Sequence, residues 1–158
     1  MDTHKALVEH IQQNNIVGHL HRLSRLLGGL SEHRWAKDGY PDVRNGHVQL
    51  LRNLDPEGTR NTVLAQRAHI TKQTMGRLVK ELANSGYVTI SVDPTDSRAQ
   101  RVLLTARGTA FLTYLAATLA DLNWAFANVL GEGRLTNFSQ TLQDLLAFAE
   151  TRQQQQDL

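Results

Sequence analysis

The sequence predicts a mainly α fold with one small β-hairpin: a winged helix-turn-helix core flanked at both ends by helices. Three observations predict it. The stretch Ala68–Leu104 places a basic amphipathic helix directly before two short β-rich runs joined by a polar turn. Both ends of the chain carry apolar residues spaced alternately by four and three, the seam of paired helices. All three prolines (Pro41, Pro56 and Pro94) fall in the turns between the elements that these patterns define.

Taken in order, the pattern is helical from Thr3 to about Lys37, with Ile16, Leu20, Leu23, Leu27 and Leu30 forming the first seam. Gly28-Gly29 interrupts it at a cost of about 1 kcal/mol per glycine relative to alanine, which marks a bend or a close helix crossing. Gly39-Tyr40-Pro41 is a turn, and a second helix is expected from about Val43 to Leu54, ended by Asp55-Pro56-Glu57-Gly58. Thr59-Arg60-Asn61 has room only for a stub of strand, and a third helix covers about Thr62 to Arg67.

The helix after Thr71 is the most informative. Met75, Leu78, Val79 and Leu82 lie at i, i+3, i+4 and i+7 and define a buried face. The other face carries Lys72, Gln73, Gly76, Arg77 and Lys80, with no carboxylate before Glu81. Thr71 is placed to cap the helix start and Gly86 to end it. Tyr87–Val92 is a β-rich run, Asp93–Ser97 a turn, and Arg101–Leu104 a second strand. Thr105 caps a long helix to about Leu130, with Leu115, Leu119, Leu122, Phe126 and Val129 on its seam. Gly131-Glu132-Gly133 breaks it. A last helix from about Arg134 to Thr151 presents Leu135, Phe138, Leu142, Leu145 and Ala149, and a Gln-rich tail, Arg152–Leu158, is expected to fray.

The chain of 158 residues fits one domain, 1–158, with a DNA-binding core at about 43–104 and dimerisation helices at about 3–37 and 105–151. It has no cysteine, which excludes disulfides and thiolate zinc sites. No apolar run reaches 18 residues and the N-terminus lacks a signal-peptide core, so the expectation is a cytoplasmic protein with no membrane partner. Net charge is only +2, but Arg60, Arg67, Lys72, Arg77 and Lys80 occupy a 60–80 window without Asp or Glu. No internal repeat is present. Gly131-x-Gly133 lacks the third glycine and the preceding strand of a dinucleotide fingerprint, and no hydrolase, phosphate-loop or metalloprotease motif occurs, so no enzyme is expected. His19 and His21, at i and i+2, point to different faces of a helix. Asp2, His4 and His10 form only a terminal set of donors, so neither metal nor cofactor is expected.

These residues together resemble the MarR family of multiple-antibiotic-resistance regulators. Asp96-x-Arg98, followed by Leu103-Leu104-Thr105 and Gly108, is similar to the family's wing signature. Thr71–Val79 resembles the recognition helix of one branch of the family, and Leu54–Arg60 that branch's approach to the helix-turn-helix. The likeness covers Val43 to Leu115 in motif and the whole chain in layout. It implies a homodimeric transcription regulator, commonly a repressor released by a small ligand, often an aromatic or phenolic acid. It also implies that Arg98 enters a minor groove while Asp96 holds it. One departure is that Thr89–Val92 has no arginine where relatives are often basic, so the wing is expected to add less phosphate affinity.

Gln73, Thr74 and Arg77 are the candidate base readers, since arginine pairs bidentately with guanine and glutamine with adenine. Gly76 is a candidate for close approach to DNA. Lys72, Lys80, Arg60 and Thr62 are candidates for the phosphate backbone, and Thr71 is a further DNA-contact candidate. His33, Trp35, Tyr40 and His47, near the junction of dimerisation and DNA-binding parts, are candidate ligand-pocket residues. The expected partners are an imperfect DNA palindrome, a second copy of the chain and a small-molecule effector. Two other classes fit the same composition: a winged-helix protein-interaction module, and a small-molecule-binding protein with little affinity for DNA.

Overall fold

The computed structural model describes residues 3–13 and 15–156. The N-terminal helical segment is two helices, α1 (Thr3–Gln13) and α2 (Ile16–Lys37). The expected interruption at Gly28-Gly29 is displaced to Asn15, which is extended (φ −98°, ψ 90°) and accepts the Gly18 N–H at 3.0 Å as the N-cap of α2. A capping asparagine leaves the apolar spacing around it almost unchanged, so periodicity hides the break. Helix α2 runs unbroken through both glycines. Gly28 marks a close crossing instead: a Cβ there would stand 2.8 Å from Nδ2 of Asn45, the first residue of α3 (Asn45–Leu51).

Helix α3 is shorter at both ends than expected, because Arg44 is extended and Asn53 and Leu54 close tighter turns onto Leu50 and Leu51. The stub β1 (Thr59–Arg60) leads into α4 (Asn61–Arg67) and α5 (Lys72–Asn84). The turn between the two helices passes through His69 at φ 52°, the one non-glycine with positive φ among the described residues. Met75, Leu78, Val79 and Leu82 are all buried, and Gly86 follows at φ 76°.

The wing is β2 (Val88–Asp93) and β3 (Asp96–Leu104), in a three-stranded antiparallel sheet ordered β1-β3-β2. Val102 pairs with Ile90 on one side and Thr59 on the other. The turn is only Pro94-Thr95, so β3 begins at Asp96 rather than Arg101, and Asp96 and Arg98 stand on a strand. The outer ends of both strands are largely exposed, and a strand without a buried face shows no alternation for a sequence reading to find.

The chain divides into two compact units, residues 1–111 and 112–158. The first has its core in Trp35, Val43, Leu50, Leu51, Leu64, Met75, Leu82, Tyr87 and Phe111. Phe111 receives Trp35, Tyr40 and Tyr87 edge-on at centroid distances of 5.6, 5.1 and 6.1 Å. The second unit is the remainder of α6 (Ala106–Leu130), joined through Gly131 (φ 79°) to α7 (Glu132–Gln156). The Gln-rich tail is helical as far as Gln156, five residues beyond the expected Thr151, as suits residues with good helix propensity. Apolar side chains of both terminal segments are open to solvent in the single chain, among them Ile16, Leu23 and Leu30 of α2, Trp124 (70% exposed) and Val129 (79%) of α6, and Phe148 of α7.

Candidate nucleic-acid interface

Helix α5 presents its polar face as the spacing requires. Thr71 caps it, its hydroxyl accepting the Thr74 N–H at 3.1 Å and meeting the Thr74 hydroxyl at 2.8 Å. Lys72, Gln73, Arg77 and Lys80 are exposed. At Gly76 a Cβ would touch only Nδ2 of Asn61, at 3.8 Å, an ordinary contact. The protein itself therefore has room for a side chain at this point. Gly76→Ala is expected to raise stability by about 1 kcal/mol while weakening binding to specific DNA. Higher melting with unchanged binding would show that no partner approaches there.

The five cations of the 60–80 window are not equivalent. Arg60 donates to Asp93 at 2.6 Å, Arg67 to Asp55 at 2.9 Å and Arg77 to Glu81 at 2.8 Å. The partners of Arg60 and Arg67 lie outside the window, and that of Arg77 is one residue past its end, where counting charge along the chain misses them. Asp55 is held below the usual carboxylate range by its hydrogen bonds from Arg67 and Thr59. Lys72 and Lys80 have no carboxylate partner among the described residues.

Glu81 is the meeting point of two elements. One oxygen accepts from Arg77, and the other lies 2.8 Å from Nε2 of His47 on α3. His47 is 3% exposed, and its Nδ1 accepts the Arg44 N–H at 3.2 Å. The hydrogen bond from His47 and the charge of Arg77 hold the Glu81 carboxyl below its ordinary range, against the effect of burial.

The wing is fixed beside its turn by Asp93, the buried last residue of β2, whose sequence context marks only a turn. It accepts from Arg60 Nε at 2.6 Å, from Arg101 Nε at 3.0 Å, and from the N–H and hydroxyl of Thr95 at 2.8 and 2.7 Å. The Arg60 bond foremost, then those of Thr95 and Arg101, push its pKa far below the usual carboxylate range. Asp96 accepts the Arg98 N–H at 3.1 Å and stands 3.5 Å from its Nε, leaving the Arg98 side chain 93% exposed.

Two surface grooves connect these pieces. One, of about 510 Å³, lies between α4 and the wing and is lined by Arg60, Asn61, Thr62 and Arg98. The second, of about 500 Å³, lies between α4 and α5 and is lined by Thr62, Gln66, Thr71 and Lys72. Thr62 borders both, so wing, α4 and the start of α5 form one continuous surface. Asn61 also faces this region. Its Nδ2 donates to the Lys72 carbonyl at 3.3 Å, and its buried Oδ1 has no protein partner.

The expected ligand-pocket residues separate. Trp35 and Tyr40 share Phe111, His47 turns to Glu81, and His33 is exposed on α2. Among the described residues no group of three or more His, Asp or Glu could hold a metal ion. Asp2 and the side chain of His10 lie outside the described residues. No helix among the described residues is long and apolar enough to cross a membrane.

The segment that forms this surface is the one that known proteins match: residues 41–99 fit the model of the MarR family. That match covers the helix-turn-helix and the first part of the wing. No curated protein matches the sequence at a significant level. Solved structures share the fold of the MarR type along most of the chain. A MarR protein from Peptoclostridium difficile superimposes with a TM-score of 0.76 at 16% identity, over 89% of this chain and 90% of that one. Streptococcus pneumoniae FabT, solved in complex with DNA, gives 0.74 at 14% identity, over 86% and 96%. PcaV from Streptomyces coelicolor, a transcriptional regulator solved with its natural ligand, gives 0.64 at 20% identity, over 88% and 96%.

Proposed function

We propose that the protein is a homodimeric, cytoplasmic, sequence-specific DNA-binding regulator, a repressor released by a small ligand, with aromatic acids the first class to test. The observation that carries this reading is the continuous surface from Arg98 through Thr62 to Thr71 and Lys72, with the exposed face of α5 beyond it. A helix offering Gln73, Thr74 and Arg77 suits a major groove, and an exposed arginine on a rigid hairpin suits the adjacent minor groove. The open apolar residues of α1, α2, α6 and α7 support pairing with a second copy, since a monomer seldom leaves so many large apolar side chains in water. Two recognition helices would then dock in successive major grooves of an imperfect palindrome, with the wings on its flanks. An effector at the helix junction would favour a spacing of the heads that no longer fits the half-sites, and operator and effector would then weaken each other's binding reciprocally.

The test is a titration against DNA from the region upstream of its own coding sequence, beside scrambled DNA, at two salt concentrations. Tight binding to one short palindrome is expected, with two chains per duplex, and with weaker binding to the scrambled sequence that falls steeply with salt. Absence of binding at low salt would overturn the reading. In the same titration Arg98→Ala is expected to weaken binding about tenfold, within the range of a lost charged contact, without a change in melting temperature. Unchanged affinity would remove Arg98 from the interface.

A further inference from the structure

We propose that Glu81 is a positioning residue for Arg77 and sets the specificity of α5, and that His47 holds Glu81 in place from the protein interior. The inference rests on the reading of α5 as the DNA-reading helix.

The contacts form a chain from a buried group to an exposed one, in which each link fixes the next. The imidazole of His47 is enclosed, and because Nδ1 accepts the Arg44 N–H, the ring proton sits on Nε2. That N–H donates to Oε2 of Glu81, which fixes the plane of the carboxylate. Oε1 then accepts Nη1 of Arg77 at 2.8 Å. One of the five guanidinium donors is used, and the rest remain for a base edge or a phosphate. An exposed arginine without such an anchor samples many rotamers and must lose that freedom on binding, whereas a held one has lost it already.

Helix stability does not explain the pair. An arginine N-terminal to a glutamate at i,i+4 is the less favourable order, and exposed pairs add little. A carboxylate on a face that meets phosphates also opposes non-specific attraction. Glu81 therefore does two things in one direction: it aims Arg77, and it penalises contacts that the aimed guanidinium does not make good. The mutual dependence of Arg77 and Glu81 is the signature of this role.

The test uses the full-length protein, a duplex selected by the wild type from a randomised pool, and a scrambled duplex of equal length. The readout is the ratio of specific to non-specific affinity, with melting curves on the same samples. Arg77→Ala is expected to lower the ratio at least tenfold, and Glu81→Gln about fivefold with non-specific binding equal or tighter, both within the discrimination of one bidentate base contact. In the Arg77→Ala background, Glu81→Gln should change the ratio by less than about twofold. Glu81→Asp keeps the charge but shortens the reach, and should behave like Glu81→Gln. His47→Leu, which has no donor for Oε2, should reproduce the Glu81→Gln ratio at temperatures where both are folded. A wild-type ratio in Glu81→Gln or in Glu81→Asp, or an equal effect of Glu81→Gln with and without Arg77, would overturn the positioning role. If Arg77→Ala itself leaves the ratio unchanged, the reading of Arg77 as a base contact fails as well.

Discussion

Asp93→Ala is expected to lower the melting temperature by about 5–15 °C, the range for breaking a buried ion-pair network in a domain of this size, and to weaken binding to specific DNA. Asp93 is enclosed while Arg60 and Arg101 are partly open to water. Its loss leaves two guanidinium groups converging beside the hairpin turn with no anion between them. Arg60 ends β1 and is the N-cap residue of α4, so the wing also loses its tie to the helix-turn-helix. Arg98, in the irregular stretch of β3 just past the same turn, then loses the support of the backbone that carries it beside the groove it lines with Thr62. Asp93→Asn keeps an acceptor for the Thr95 N–H but not the charge, and should fall between the two. The pH dependence follows from the sign of the shift. A carboxyl held far below its ordinary value contributes stability in full above the unfolded pKa of about 4, and that contribution declines as pH falls toward the folded value. The stability difference between wild type and Asp93→Asn should therefore be constant from pH 7 to 5 and shrink below about pH 4. Thermal unfolding over that range checks both points, and a difference that shrinks already between pH 7 and 5 would assign it to another group.

The features legible in the sequence are those whose cause is local. The buried face of α5, its threonine cap and the glycines that end α5 and α6 all act within a turn or two of where they stand, and each is found where its pattern places it. The exposure of Gln73 and Arg77 follows for the same reason, since they occupy the opposite face of the same helix. Long-range partners were not accessible. Asp93 meets Arg60, and Glu81 meets His47, across more than thirty residues, and nothing in Asp-Pro-Thr-Asp distinguishes a turn from the anchor of a wing. The basic window from Arg60 to Lys80 misled in the same way: three of its five cations are neutralised by carboxylates outside its bounds. The packing of Trp35 and Tyr40 on Phe111 is long-range in the same sense, since the ring that both meet lies some seventy residues further along the chain. The displaced break at Asn15 belongs to a different class. A side-chain cap can end a helix without any change in apolar rhythm.

Gly108→Ala is expected to be the most damaging single methyl in the protein. Gly108 lies in the first turn of α6, where the chain leaves the wing, and a Cβ there would run into the carbonyl oxygen of Tyr87 and stand 3.1 Å from Cγ of Leu104. Neither neighbour can yield easily. The Tyr87 carbonyl already accepts the Thr105 N–H at 3.1 Å and the Thr105 hydroxyl at 3.0 Å, and the same hydroxyl accepts the Gly108 N–H. The Tyr87 ring is buried against Phe111, with the Arg107 guanidinium 4.5 Å above its centroid. Relief requires the start of α6 to move off the hairpin, which breaks the Thr105 cap and loosens that aromatic packing. The cost is expected to reach or exceed about 1–3 kcal/mol, the range for overpacking a well-filled site. Gly133→Ala provides the contrast. A Cβ at Gly133 in α7 meets nothing within 4 Å, so alanine there should raise stability slightly by its better helix propensity. Thermal unfolding of the two variants beside the wild type measures one methyl in opposite surroundings. If both melt together, the hairpin and α6 are not in the close contact that makes glycine necessary. A large loss at Gly108 alone would show why the wing signature ends in glycine: the helix leaving the wing must start against the backbone of the residue that precedes β2.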